Sequence, residues 1–219
     1  MLADAIDLST LTHDQRVELA SLLDEVVRRQ RTRLLQTMFP ATGPLRRELY
    51  PKHLEFFRAG KNNSERVFMA GNRVGKTVAA GTEVSYHLTG KYPDWWEGHR
   101  FNKPIRALAS GDTHETTRDI LQLKLVGSTT DKPEKYGTGL IPGDDITGIV
   151  PRAHVKGAIE RVTVRHVSGG ESELWLRSYE QGREIFQGFA LDVLWPDEEC
   201  PADVYEEGQV RLMTRNGIS

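Results

Sequence analysis

Residues 65–82 read ERVFMAGNRVGKTVAAGT, and this stretch decides the expected fold. An apolar run at 67–70 predicts a strand, and the small residues after position 77 predict the start of a helix. A loop between such elements cradles phosphate groups with its backbone N–H groups and the positive end of the helix. The candidate phosphate-binding residues are Gly71, Asn72, Arg73, Val74, Gly75, Lys76 and Thr77.

Within this loop, Lys76 is predicted to reach the β- and γ-phosphates of a nucleotide, and the Thr77 hydroxyl to contact Mg²⁺. The match to G-x-x-x-x-G-K-[ST] has one departure, because Ala70 stands at the first glycine position and Gly71 follows one residue late. The alternative is a glycine-rich turn with a solvated lysine. The flanking strand and helix signals favour the phosphate loop.

Composition sets broad limits on the protein. A length of 219 residues allows one domain, or one domain with an extension. A net charge of −2 means that any nucleic-acid contact must be local. The single Cys200 excludes an internal disulfide and is interpreted as a buried small residue rather than a nucleophile. Because no long apolar run or signal peptide is visible, we expect a soluble protein without a membrane contact.

Residues 1–45 are predicted to form a helical N-terminal lead-in. Thr12 and Gln15 fit a capping box, and one apolar face follows, with Leu19, Leu22, Leu23, Val26 and Val27. The basic residues Arg28, Arg29, Arg31 and Arg33 indicate either a docking or DNA-facing surface or, as the favoured reading, a solvated helix end. Pro40, Gly43 and Pro44 end this region, and the main domain is placed at 46–219.

A short amphipathic segment at 49–57 precedes the loop. Upstream segments of this kind hold the adenine ring in many nucleotide-driven motors, and Tyr50 and His53 are the candidates here. The equally weighted alternative is a surface histidine packed on Phe57.

The rest of the chain predicts an alternation of helices and strands. The expected elements are a helix at 78–88 ending near Gly90, a packed aromatic turn with Trp95 and Trp96, a strand at 104–110, a helix from about 113 to 126, an irregular excursion at 127–152, a β-hairpin of 162–167 and 173–178, and a turn or short helix at 183–188.

A further apolar strand, predicted at 191–195, leads into the acidic run Asp197, Glu198 and Glu199. Asp197 is predicted to hold Mg²⁺, and Glu198 to activate water as a general base. Glu199 is interpreted as a salt-bridged residue at a helix start. An adjacent Asp–Glu pair favours ATP hydrolysis coupled to motion over phosphate transfer to a small molecule, whose acceptor is a substrate hydroxyl.

Several segments together resemble the large terminase subunit of tailed bacteriophages, specifically its N-terminal ATPase domain. They are the helical lead-in, GNRVGKT, HLTGKYPDWWEGHRF, LASGDTHETTRDILQ and REIFQGFALDVLWPDEECPADVYEE. The resemblance implies an α/β P-loop NTPase of the additional-strand, catalytic-glutamate type. Its mostly parallel sheet would be flanked by helices, with a helical N-terminal extension and a β-hairpin insertion.

The resemblance also implies a function. The family's motor uses ATP and Mg²⁺ to pump double-stranded DNA into a procapsid in the host cytoplasm, as a ring (a pentamer) on the portal protein, with a small terminase subunit. Carried onto this chain, Lys76 and Thr77 bind phosphate and Mg²⁺, Asp197 binds Mg²⁺ and Glu198 activates water. The arginine finger is Arg73 in the loop or, as a weaker candidate, Arg183, because Gln187 stands where some relatives have it.

Two family features are not found in this sequence. The family has a further strand with a Thr-Pro-type coupling motif after the acidic strand, and then a nuclease domain. We therefore expect the chain to be a fragment without nuclease activity. Two alternatives stay open: a nucleotide-binding interaction module without turnover, and a helicase-like, DNA-stimulated ATPase.

Overall fold

The computed structural model describes residues 11–130, 136–188 and 190–219. The helices are α1 (His13–Arg31), α2 (Pro51–Ala59), α3 (Lys76–Thr89), α4 (His114–Thr116), a π-helical segment (Thr117–Gln122), α5 (Leu123–Val126) and α6 (Ala202–Met213). The strands are β1 (Arg106–Gly111), β2 (Ile146–Pro151), β3 (Ile159–Arg165), β4 (Glu171–Ser178) and β5 (Val193–Pro196). Short 3-10 turns occur at Leu34–Thr37, Arg47–Leu49, Gly143–Asp145, Tyr179–Gln181 and Arg183–Phe186.

The five strands form one mixed sheet in the order β2-β3-β4-β1-β5. β1 pairs in parallel with both β4 and β5, whereas β2, β3 and β4 pair antiparallel. An α/β fold with a helix-flanked sheet is therefore confirmed. The sheet is less parallel than expected, and the predicted hairpin is not a separate insertion, because β4 is also the parallel neighbour of β1.

The strand β1, which lies between β4 and the edge strand β5, is buried on both faces. Ala107 and Ala109 face a core shared with α3 and α5, and Leu108 faces a second core shared with α6. Successive side chains of a strand point to opposite faces, so the alternation separates the two layers. A parallel strand covered by helices on both sides reads as a continuous apolar run, which explains why β1 was visible in the sequence.

The apolar run at 67–70 is not a β-strand, and this prediction was wrong. Only the start of the segment is paired: the Arg66 amide donates to the Ser219 carbonyl at 3.1 Å, and the Ser219 amide donates to the Ser64 carbonyl at 2.8 Å. Beyond Arg66 no neighbouring backbone in the described part of the chain continues the ladder. Val67 and Met69 are consequently 74% and 87% exposed.

A groove of about 800 Å³ separates this extended segment from β5. Ser219 and Val193 line the groove, and Ile218 forms a parallel bridge with Val193. Val67, Met69 and Trp195 contribute to its apolar lining, and Lys76, Asp197 and Glu198 also line it. The groove therefore opens onto the predicted catalytic residues.

The lead-in agrees with the sequence in part. The Thr12–Gln15 capping box is present, with the Thr12 amide 2.9 Å from the Gln15 side-chain oxygen. Four side chains of the predicted apolar face are exposed: Leu22, Leu23, Val26 and Val27. Arg33 lies 3.9 Å from Asp144. The side chains of Arg28, Arg29 and Arg31, and residues 1–10, lie outside the described part of the structure.

Most other elements follow the predictions. The segment before the loop is helix α2, and α3 ends at Gly90, which has a φ of +69°. Trp96 is buried, as expected for a packed aromatic turn. The irregular excursion contains strand β2, so that part of the prediction was wrong, and residues 131–135 within it are not described. No helix among the described residues has both the length and the apolar character needed to cross a membrane.

Candidate nucleotide site

The glycine-bearing loop connects the extended segment to the first turn of α3. Gly75 directly precedes the helix with a φ of +91°, a left-handed conformation that a side chain disfavours. Arg73 also has a positive φ, of +62°. A Cβ at Gly71 would meet no atom within 4 Å. Of the two loop glycines, Gly75 is thus the one that the backbone conformation requires.

Lys76 folds back onto the loop. Its Nζ donates to the carbonyl oxygens of Ala70 at 2.8 Å and Gly71 at 2.9 Å. An ammonium group that bridges two carbonyls ties the start of the loop to the first residue of the helix. The same donors are free to turn to a phosphate oxygen, which is the stronger acceptor because it is charged.

Thr77 and Asp197 meet across the site. The Thr77 Oγ1 lies 3.3 and 3.4 Å from the two carboxylate oxygens of Asp197. Asp197 follows β5, and its amide donates to the Ser110 carbonyl at the end of β1 at 2.8 Å. The carboxyl ends of the parallel strands β1 and β5 therefore bring the acidic run to the N-terminus of α3.

The electrostatics of Asp197 fit a cation. Burial raises the pKa of this carboxyl group, and the neighbouring Glu198 raises it further, while the Thr77 hydrogen bond and Lys76 act in the opposite direction. No group of three or more His, Cys, Asp or Glu side chains in the described ranges is arranged to hold a metal. An ion held by Asp197 and Thr77 therefore needs further oxygen ligands, and phosphate and water are the usual donors for Mg²⁺.

Glu198 is exposed and has a positive φ of +63°. A left-handed conformation at a residue other than glycine costs free energy and concentrates at functional sites. Tyr179, which follows β4, supports this turn: its hydroxyl lies 2.9 Å from the Asp197 carbonyl and 3.1 Å from the Ser110 carbonyl. Sequence reasoning missed Tyr179, because nothing local distinguishes it from a core tyrosine.

The remaining predicted site residues are dispersed. Arg73 lies exposed in the loop, and Arg183 lies exposed at the start of a 3-10 turn after β4. Neither takes part in any ion pair among the described residues, so the structure leaves both candidates for the finger. Tyr50 packs edge-on against His53 with ring centroids 5.4 Å apart. The His53 ring contacts the backbone of the loop, with Nε2 3.0 Å from the Val74 carbonyl.

A buried ion pair behind the loop was also missed. Arg66 and Glu83 are 7% and 5% exposed, with Nη1 3.0 Å from Oε1, and they join the extended segment to α3. The Arg66 guanidinium also donates to the Phe56 carbonyl at 3.0 Å. The sequence signal was Glu83, the one acidic residue of α3, because a buried carboxylate is rarely found without a partner.

The comparisons with known proteins agree with these observations. The family description "Terminase large subunit, T4likevirus-type, N-terminal" matches residues 67–219. The "Terminase, large subunit" of Salmonella phage P22 is 34% identical over 228 aligned residues, which cover 96% of this chain and 44% of the relative. No solved structure gives a significant match to the chain.

The chain belongs to the terminase large subunit family, and it matches the N-terminal part of that family. It spans less than half the length of the phage P22 relative. The resemblance drawn from the motifs is thereby confirmed at the level of the family.

Proposed function

We propose that the chain is the ATP-hydrolysing part of a motor that packages double-stranded DNA. The observation that carries this proposal is the approach of Thr77 to Asp197 beside Lys76. These are a hydroxyl, a carboxylate and an ammonium group on two different elements, at the N-terminus of a helix. This combination of groups binds Mg²⁺ and nucleoside triphosphates.

In the proposed reaction, each side chain has a distinct task. Lys76 exchanges its loop carbonyls for phosphate oxygens, so its positive charge is placed beside the transferred group. Thr77 and Asp197 hold Mg²⁺, which neutralises charge on the phosphates when bound. Glu198 accepts a proton from the attacking water, a role that its exposed position at the mouth of the groove permits. Arg73 or Arg183 stabilises negative charge as the phosphate group departs.

At the level of the whole protein, we propose that the motor works as a ring on a portal protein together with a small terminase subunit. DNA contacts would come from local lysine and arginine side chains, because the chain as a whole carries a net charge of −2. Such contacts to the phosphate backbone weaken as the salt concentration rises. ATPase stimulation by duplex DNA that falls with added salt is the corresponding observation in solution.

Phosphate release at saturating ATP and Mg²⁺, with and without duplex DNA, tests the hydrolytic role. Glu198→Gln is expected to lower turnover by about 100-fold or more while ATP still binds, since general-base catalysis contributes roughly 10²–10⁴-fold. Glu199→Gln, which removes the same charge one residue later, is the matched control and should retain turnover. If Glu198→Gln hydrolyses ATP as fast as the wild type, Glu198 is not the general base.

A second candidate function is nucleotide binding without turnover. It is favoured by the open groove, since among the described residues the segment that leads into the loop is paired only at Ser64 and Arg66, and Val67 and Met69 are exposed. A loop supported on one side holds its catalytic groups less firmly. ATP binding by the wild-type chain with no phosphate release under any condition supports this function. Turnover that Lys76→Ala abolishes excludes it.

A further inference from the structure

His53 lies on α2 beneath the phosphate loop and is only 8% exposed. Three aromatic rings surround its imidazole: Phe39, Tyr50 and Phe68, with ring centroids 5.9, 5.4 and 5.2 Å away. None of the three rings lies within α2: Tyr50 directly precedes the helix, Phe39 lies earlier in the chain, and Phe68 lies in the segment that leads into the loop. An imidazole packed in this way presents a fixed hydrogen-bonding direction.

The imidazole is directed at the backbone of the loop. Its Nε2 lies 3.0 Å from the Val74 carbonyl oxygen. A carbonyl oxygen only accepts hydrogen bonds, so Nε2 must carry the proton and donate. The adjacent Gly75 has a φ of +91°, and a Cβ there would come within 3.2 Å of the same nitrogen. The contact therefore fits a glycine at this position and restrains the Val74–Gly75 peptide group.

This hydrogen bond ties an exposed loop to a buried helix. Residues 71–74 are exposed, whereas Phe57, one turn after His53 on α2, is 2% exposed and packs on Trp96 with ring centroids 4.9 Å apart. The aromatic cluster thus fixes α2, and α2 fixes Val74 through His53. The Lys76 contacts to Ala70 and Gly71 lie within the loop and its helix, so they do not anchor it to the rest of the molecule.

We propose that His53 is a positioning residue for the phosphate loop, holding the Val74–Gly75 peptide so that the following amide groups face the phosphates. This inference rests on the proposed nucleotide site. It is an alternative to the prediction that His53 holds the adenine ring, since Nε2 is engaged with the Val74 carbonyl of the loop. The ligand that His53 affects is consequently the polyphosphate chain, whatever base is attached to it.

Binding of inorganic tripolyphosphate and of ATP, each with Mg²⁺, separates the two roles. His53→Phe keeps an aromatic ring and removes the donor. It is expected to weaken both ligands equally, by about three- to tenfold, as for the loss of one hydrogen bond. His53→Gln places an amide donor near the same position and should restore both affinities. A loss confined to ATP, with tripolyphosphate binding unchanged, would show contact with the base and overturn the proposal.

Two controls keep packing effects apart from positioning. Leu212→Ala removes buried volume from the second core, which contains none of the rings around His53, so it should lower the melting temperature without lowering tripolyphosphate affinity. If His53→Phe does not fold, His53→Met supplies a side chain of similar volume without a donor. If the wild-type chain binds neither ATP nor tripolyphosphate, the nucleotide site itself is contradicted. If the wild-type chain binds both ligands and His53→Phe or His53→Met binds them with the same affinity, only the role of His53 is contradicted.

Discussion

The Thr77 hydroxyl lies 3.3 Å from a carboxylate oxygen of Asp197, although the two residues are 120 positions apart in the chain. Thr77 is the second residue of α3, and Asp197 directly follows β5. Parallel pairing of β5 with β1 carries the acidic run to the end of the sheet at which α3 begins. This convergence joins the two motifs into one candidate site.

Substitution of Asp197 by asparagine should stabilise the ligand-free chain near neutral pH. Burial first, and Glu198 second, raise the pKa of the Asp197 carboxyl group in the folded state. A carboxyl group with a raised folded-state pKa stabilises the fold below its unfolded pKa, and this contribution is lost as pH rises through the folded pKa. The asparagine side chain has no charge to bury, so we expect a small increase in melting temperature, of about a few degrees.

The pH dependence supplies the control for that substitution. The gain in melting temperature from Asp197→Asn should be present at pH 7 and should shrink as pH falls toward the range where the wild-type carboxyl group is protonated. Mg²⁺ should stabilise the wild-type chain with ATP present and have little effect on the variant. If Asp197→Asn melts at a lower temperature than the wild type at pH 7, the buried Asp197 carboxylate does not destabilise the ligand-free fold.

Tyr179→Phe should impair turnover more than folding. The hydroxyl hydrogen-bonds the Asp197 carbonyl at 2.9 Å, and Asp197 precedes the strained Glu198. Loss of one hydrogen bond costs about 0.5–1.5 kcal/mol of stability. A displaced glutamate costs more in rate, so a fall in turnover of about tenfold or more is expected in a phosphate-release assay.

Tyr92→Phe is the matched control for Tyr179. The Tyr92 hydroxyl accepts from the Phe101 amide at 2.8 Å, and Tyr92 does not line the groove at the site. Both variants are expected to melt at lower temperatures than the wild type. Equal turnover in the two variants would mean that Tyr179 contributes only to packing.

Arg66→Met should destabilise the fold strongly. Arg66 and Glu83 form an ion pair in which both side chains are less than a tenth exposed, and the substitution leaves the Glu83 charge buried with less compensation. Removal of one partner of a buried pair costs about 3–5 kcal/mol. Urea denaturation of the wild type and the variant measures this loss.

The exposed pair Lys52–Glu55 provides the comparison for Arg66. Its atoms are 2.8 Å apart, yet the two side chains are 79% and 65% exposed. Solvent screens such a pair, so Lys52→Met should leave the urea midpoint unchanged. Arg66→Met combined with Glu83→Leu should recover part of the stability, because no charge then remains unpaired. If Arg66→Met alone is as stable as Arg66→Met combined with Glu83→Leu, the result would argue against a buried ion pair.

The elements that the sequence predicted are those whose residue pattern is local. The capping residues Thr12 and Gln15, the glycine that ends α3 and the buried run of β1 each report their own surroundings. The acidic run after β5 was also predicted from the sequence, because an apolar strand followed by carboxylates has few structural explanations. The resemblance to the family rested on longer segments that include the loop and the acidic run, and the family is confirmed.

Strand pairing and contacts between residues remote in the chain could not be predicted from the sequence. The run at 67–70 has the composition of a strand, but strand formation needs a neighbouring strand. In the part of the chain that the structure describes, the backbone of Ser219 pairs with Ser64 and Arg66, and no backbone pairs with 67–70. β2 was missed because glycine and proline interrupt its pattern. The contacts of His53 with Val74 and of Tyr179 with Asp197 depend on the fold bringing remote residues together, which spacing along the chain does not reveal.

Calorimetric titration of the chain with ATP and Mg²⁺, comparing wild type, Lys76→Ala and Lys52→Ala, tests the central claim most directly. Lys76 lies in the loop, and Lys52 is an exposed lysine on α2. We expect wild type and Lys52→Ala to bind with the same affinity, and Lys76→Ala to bind at least tenfold more weakly, because a charged hydrogen bond to phosphate contributes about 1.5–3 kcal/mol. Equal affinity in Lys76→Ala, or no binding by the wild type, would contradict a nucleotide site at this loop.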